Sequence, residues 1–317
     1  MAQINLNVVD KVEILTLQDN YIDLTAMDNN DIVTRAMPLQ DGKFKKSFIA
    51  EHGFSAIVRT VTGDKTHTLL FDTGFSDIGT LYNANALGAD LGAIEAIAFS
   101  HGHMDHLGGF KSMAAAISQK NLPVYAHPAV FRPTRYLKYG ENFKVYLPSI
   151  GREDVAAAGM NLLETAKPLA ICANDVLFLG EIPRRTDFEK GIPFTHYQEN
   201  DVEKFDAVED DTSIVVNLRN KGLIILSGCA HSGIVNTVRY ARETTNIEKV
   251  HVIMGGFHLG GPLFEPIIGR TTEELQKINP AYIIPTHCTG RKAVAFMETT
   301  FKERFILNMA GTKLTFA

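Results

Sequence analysis

Cysteine is scarce in this 317-residue chain: only Cys172, Cys229 and Cys288 occur, odd in number and far apart. So few thiols cannot build a disulfide framework, and they are too few for a cysteine-rich structural zinc site. They predict a reducing, cytoplasmic setting. Apolar runs of membrane-spanning length are also missing, and "MAQINLNVVDKVEILTL" has no basic n-region ahead of an apolar core, so neither a span nor a secretory leader is expected. No low-complexity tract, solenoid repeat or Gly/Ser linker interrupts the chain, which predicts one domain over 1–317. The formal net charge of -5 argues against a nonspecific grip on nucleic acid or on anionic membrane, both of which need a basic surface. A small-molecule partner fits better, and homo-oligomerisation is left open.

What is present is 45% hydrophobic and 21% charged residues, enough for a sizeable core. Short β-rich runs recur, each ending in glycine or polar residues: "THTLLFDTG", "IEAIAFSHG", "LPVYAHP", "TSIVVNL", "GLIILSGCA", "KVHVIMGG" and "AYIIPTHC". Between them the period becomes helical. Phe110, Met113, Ala114 and Ile117 share one helix face, as do Ile234, Val238 and Ala241, and Thr271 to Glu274 reads as a capping box opening another helix. Alternating strand and helix predicts an α/β class. From about 128 to 205 the rhythm breaks into long stretches rich in Arg, Lys, Tyr and Pro, expected as a helical or loop insertion that forms part of a substrate pocket.

The stretch "FSHGHMDHLGGF" packs His101, His103, Asp105 and His106 into six residues just past an apolar run. Neutral imidazole and carboxylate are ligands for zinc and also for manganese and iron. In this turn His101 and His103 can point one way while Asp105 and His106 point another, feeding two adjacent ions. His231, His258 and His287 each follow a β-run in the same manner, so four loops are expected to converge on one rim, where α/β sheets collect ligands. Donors exceeding four, with little cysteine, suit a catalytic pair of ions with open positions rather than a closed structural site. The isolated His52, His67, His127, His196 and His251 are expected to be ordinary surface or core residues.

His101-x-His103-x-Asp105-His106 resembles the signature of the metallo-β-lactamase superfamily, as do "FDTG" at 71–74, "SGCAHSG" at 227–233 and "PTHCTG" at 285–290. The resemblance covers about 50 to 290 apart from the middle insertion. It implies a four-layer αββα sandwich with a dinuclear site at one sheet edge. "GCAHSG", "GGFHLGG" and "PTHCTG" together are similar to the 7,8-dihydropterin-6-yl-methyl-4-(ribofuranosyl)aminobenzene 5'-phosphate synthase-like metal-dependent hydrolases. The resemblance assigns His101, His103 and His231 to one ion and Asp105, His106 and His287 to the other, with Asp72 behind a ligand imidazole, holding its tautomer. Where most members place a bridging aspartate this chain has Cys229, which is either a thiolate ligand or a small buried thiol.

Two divalent ions are therefore expected, zinc first, with manganese, iron or nickel as alternatives. Hydrolysis follows most readily, with Asp105 accepting a proton and His258 donating to the oxyanion or leaving group. Ser232 and Thr289 look like N-caps of helices beginning beside His231 and His287. Arg132, Arg135, Arg184 and Arg291, with Lys138 and Arg185 nearby in sequence, suggest a phosphate- or carboxylate-bearing substrate. The subfamily name implies a competing transferase reaction joining a pterin methylene to an aromatic amine. A noncatalytic metal-dependent binding protein is the third reading.

Overall fold

The apolar runs are long because both faces of their strands are covered. In Lys11–Gln18, Val12 and Ile14 enter a core shared with Phe178, Ile224, Met254 and Ile284, whereas Leu15 and Leu17 face the other way, towards Phe110 and Ile117. In Gly222–Ser227, Ile224 and Leu226 take the first environment, and Leu223 and Ile225 pack on Ile234, Val238 and Met297. Strands buried on both faces read as continuous hydrophobic segments, as "GLIILS" does.

The computed structural model describes residues 3–44, 46–141 and 143–317. One sheet orders Asn161–Glu164, Pro123–Ala126, Ala96–Ala98, Lys65–Phe71, Ser55–Thr62, Lys11–Gln18, Thr312–Phe316 and Val33–Arg35. Its first four strands run parallel and the others pair antiparallel. The second orders Leu169–Ile171, Val176–Phe178, Ser213–Leu218, Gly222–Ser227, Val250–Gly256 and Tyr282–Thr286, the last three parallel, with Val8–Val9 added beside Ser213–Leu218. Helices Gly79–Leu87 and Phe110–Ile117 cover the first sheet; Ile234–Thr245, Ile268–Ile278 and Arg291–Phe301 cover the second. This is the αββα sandwich.

Two local expectations are corrected. The helix containing Thr271 begins at Ile268, so Thr271–Glu274 lies inside it, and Thr271 is buried. The preceding 3₁₀ turn Glu265–Ile267 contains Pro266, whose fixed φ already sets the helical direction. The segment 128–205 is richer in strands than a helix-and-loop reading suggests. Asn161–Glu164 extends the first sheet, and Leu169–Ile171 with Val176–Phe178 forms a hairpin on the second, so the chain crosses between layers inside this segment. The remainder is a small antiparallel sheet, ordered Phe143–Tyr146, Arg135–Tyr139, Thr195–Glu199 and Val202–Phe205, together with the short helix Arg152–Ala157. Asn200 and Asp201, at φ 51 and 61°, make the two-residue turn that suits strand twist.

Candidate metal centre

Strands Lys65–Phe71 and Ala96–Ala98 are parallel neighbours, so their following residues emerge at one edge of the first sheet. Gly222–Ser227, Val250–Gly256 and Tyr282–Thr286 do the same in the second. The loops after these strands carry Asp72, His101 to His106, Cys229 with His231, His258 and His287. Their side chains meet.

Nε2 of His101 and Nε2 of His231 lie 3.1 Å apart, and the ring of His103 sits 4.5 Å from that of His101 and 4.8 Å from that of His231. On the other side, Nε2 of His287 is 3.2 Å from Nε2 of His106 and 3.1 Å from a carboxylate oxygen of Asp105. Cys229 Sγ is 3.1 Å from Nε2 of His106. It groups with Asp105, His106 and His287 and also with His101 and His231, each set of donor atoms lying within 4.8 Å of one another. The thiol therefore stands between the two clusters.

The residues fit divalent ions. Two nitrogens bound to one ion at about 2.0–2.1 Å stand roughly 3 Å apart, the separation seen in both imidazole pairs. Facing acceptor nitrogens in a buried site need a cation or a proton between them. Nε2 of His103 and Nδ1 of His231 are buried without a hydrogen-bond partner, as is Nδ1 of His258. The backbone is strained where it delivers these groups: Asp72, Ala230, His258 and His287 all have positive φ.

Electrostatics divides the cluster. Burial and the surrounding imidazoles hold His101 and His231 well below the ordinary imidazole range, and burial with the Arg135 guanidinium pushes His103 down to about 4. These three are neutral donors at pH 7. Burial opposes protonation of His106 too, but the Asp72 and Asp105 carboxylates prevail and raise it to about 9. Burial would raise Asp105, yet His106 and His287 outweigh it and hold the carboxyl well below its usual range. Burial and the neighbouring Cys288 push the Cys229 thiol up.

A second layer of side chains orients the first. Asp72 accepts from Nδ1 of His106 at 2.7 Å and from the Ser100 amide at 2.7 Å, which turns Nε2 of His106 into the cluster. Asp19 accepts from the His287 amide at 3.0 Å, and the Asn20 amide oxygen lies 3.0 Å from Nδ1 of His287. Asp210 accepts from the Gly102 amide at 2.7 Å, and Asp211, whose carboxyl burial raises to about 6, accepts from the Ser232 amide at 2.8 Å. Asp19 and Asn20 directly follow the strand Lys11–Gln18, and polar residues at a strand end were the signal that could have found them. His52, expected to be an ordinary surface residue, lies on the open rim, with Nε2 3.7 Å from Asp105 and its ring 4.8 Å from that of His287. Cys288 also belongs to this neighbourhood, grouped with Cys229 and His258.

Three of the four arginines expected to meet substrate, Arg132, Arg135 and Arg184, are otherwise engaged. Arg135 is 1% exposed and clasped by Asp206 and Asp210, each at 2.8 Å. Arg132 pairs with Asp206 and Glu209, and Arg184 donates to the carbonyls of Ala207 and His231. The charge of Arg132 and Arg135 is spent on the acidic run 206–210, whose Asp210 supports the His101–His103 turn through the Gly102 amide. Arg185 pairs with Glu243 and Lys138 with Glu203, while Arg291 is exposed at the start of its helix. The caps differ as well: Gly233 and Gly290 precede the two helices, and Glu189 accepts from the Val235 and Asn236 amides, so the first of these N-termini is already occupied by a carboxylate. Thr289 instead accepts from the Phe257 amide.

Comparison with known proteins agrees with the fold and with binding of divalent metal. A family model described as "Beta-lactamase superfamily domain" matches residues 67–156. The chain is 30% identical over 315 residues, 98% of its length and 99% of the other's, to a Methanocaldococcus jannaschii protein named 7,8-dihydropterin-6-methyl-4-(beta-D-ribofuranosyl)-aminobenzene-5'-phosphate synthase. It therefore belongs to the metallo-β-lactamase superfamily, an enzyme superfamily of divalent-metal sites, in the branch that includes this archaeal protein. A second, uncharacterised protein of the same organism is 32% identical over 260 residues, 81% of this chain and 91% of that one. Among solved structures Tm1679, titled a metal-dependent hydrolase of the β-lactamase superfamily, superposes with a TM-score of 0.72 at 25% identity, covering 96% of this chain and 98% of that one.

Proposed function

We propose that this protein is a metal-dependent hydrolase acting on a small anionic substrate at a two-ion centre. His101, His103 and His231 would hold one ion and Asp105, His106 and His287 the other, with Cys229 between them as a shared thiolate. The observation that carries the reading is the pair of facing imidazole contacts, 3.1 Å for His101 with His231 and 3.2 Å for His106 with His287, in a site that keeps three of its imidazoles neutral. Divalent ions supply Lewis acidity and a hydroxide nucleophile at neutral pH.

The chain's own groups do the rest. Asp72 fixes the Nδ1 proton of His106, leaving Nε2 as a donor. The Asp105 side chain is 15% exposed, and its carboxylate faces the open rim at His52, where it can accept a proton from attacking water. His258, with its ring 4.3 Å from that of His231 and nearly perpendicular to that of Phe264 at 4.7 Å, would donate to a leaving group. Lys190 lines the same recess as His231 and His258. Two divalent ions opposed by one carboxylate and one thiolate leave a cationic centre, which favours phosphate or carboxylate groups even though Arg132 and Arg135 are neutralised.

The name of the full-length archaeal relative favours a second reading, transfer of a dihydropterin methylene to an arylamine nitrogen at the same centre. Product analysis separates the two. Metal-loaded protein is incubated with phosphodiesters, phosphomonoesters, thioesters and lactones, and separately with a pterin donor and an aminobenzene acceptor. Release of acid and alcohol supports hydrolysis, whereas a pterin–arylamine adduct with no hydrolytic turnover overturns it.

A further inference from the structure

Cys288 is not needed by any role assigned above, yet it reaches the same edge as Cys229. Their Sγ atoms belong to one group of donors within 4.8 Å of one another, and Cys288 Sγ lies 3.6 Å from the Cys229 carbonyl oxygen. Space for this approach comes from Gly256: a Cβ there would stand 2.6 Å from Cys288 Sγ and 3.2 Å from Cys229 Cα, so any side chain at 256 would push the two loops apart. The thiols differ in access, since Cys229 is 2% exposed and Cys288 is half-buried. The remaining cysteine, Cys172, packs against the core between the sheets.

We propose that Cys229 and Cys288 are a reversible modification site, forming an intramolecular disulfide when exposed to a small disulfide of the oxidised-glutathione class. The accessible Cys288 thiolate attacks one sulfur of the small disulfide, breaking its S–S bond and releasing one small thiolate. Cys229 then gives up its proton, attacks the Cys288 sulfur of the mixed disulfide and releases the second small thiolate. One protein S–S bond replaces the small one; the two protein thiols lose two electrons and two protons, and two small thiols carry them away. Bond formation needs the two sulfurs, which lie within 4.8 Å of one another, to close to about 2.05 Å. For the metals, the consequence rests on the reading of Cys229 as a shared ligand: a disulfide sulfur is no longer a thiolate donor.

The test uses the full chain, metal-loaded and chelator-treated, incubated with oxidised glutathione, alkylated, digested and analysed by mass spectrometry. A peptide joining 229 to 288, with Cys172 still free and full reversal by dithiothreitol, is the expected result. Cys288→Ser should abolish the link while keeping the metal content of the parent. Stable glutathione on Cys288 with Cys229 still free, or no reaction in either form, overturns the proposal. The two readings fail separately. Bound metal should slow the link by about tenfold if it occupies the Cys229 sulfur; a link that forms equally fast with and without metal supports the thiol pair and counts against Cys229 as a ligand.

Discussion

The Asp72 carboxylate lies 2.7 Å from Nδ1 of His106, while Nε2 of the same ring lies 3.2 Å from Nε2 of His287. One carboxylate thus decides which nitrogen the cluster sees. Asp72→Asn should keep the turn, because asparagine tolerates the φ of 58° found there, but it removes the charge that holds the Nδ1 proton. Metal binding at the Asp105, His106 and His287 set should weaken by about 10–100-fold with little loss of folding, measured by competition with a chromogenic chelator.

Proton release should report the two clusters separately. His101, His103 and His231 are already neutral at pH 7, so an ion entering there displaces no proton. His106, raised to about 9, must lose one, and Cys229 loses another if it coordinates. Calorimetry at pH 7 in buffers of different ionisation enthalpy should give about one proton fewer for Cys229→Ser than for the parent chain when both sets are loaded.

Without metal, stability should fall on both sides of neutrality. His103, lowered to about 4, costs stability as pH falls from about 6.5 towards 4, because the unfolded chain binds a proton that the folded chain excludes. His101 and His231 act in the same direction. His106 acts oppositely: its raised value adds stability that is complete below about 6.5 and is lost as pH rises through 9. Thermal melts of chelated protein across this range should be bell-shaped, and metal should flatten the alkaline limb by taking the place of the His106 proton.

The Arg135 guanidinium sits between two carboxylates that are themselves at most 1% exposed. Arg135→Met should cost about 3–5 kcal/mol, because it leaves the buried Asp210 carboxylate without its cation, while Arg135→Met with Asp210→Asn should recover much of that; Asp206 keeps Arg132 in both variants. Chemical denaturation measures both.

Much of this fold was legible because its strands and helices carry unambiguous periods. The faces marked by Phe110, Met113, Ala114 and Ile117 and by Ile234, Val238 and Ala241 are buried against their sheets. The segment 128–205 was less legible, because strands such as Asn161–Glu164 and Phe143–Tyr146 lie at sheet edges, where one side is exposed and the alternation is diluted. At the site, the histidines announced themselves by density and by their position after β-runs. Arg132 and Arg135 misled: sequence shows a charge but not its partner, and Asp206 and Asp210 lie more than 70 residues from both. His52 was invisible for the same reason, since only the folded chain brings it to Asp105.

The most direct check is a crystal structure of metal-loaded protein with anomalous data collected across the absorption edge of the bound element. The account predicts about two peaks per chain, one among His101, His103 and His231, the other among Asp105, His106 and His287, with Cys229 Sγ between them. Anomalous density confined to surface residues, with the His101 and His106 rings left bare at saturating metal, would contradict it.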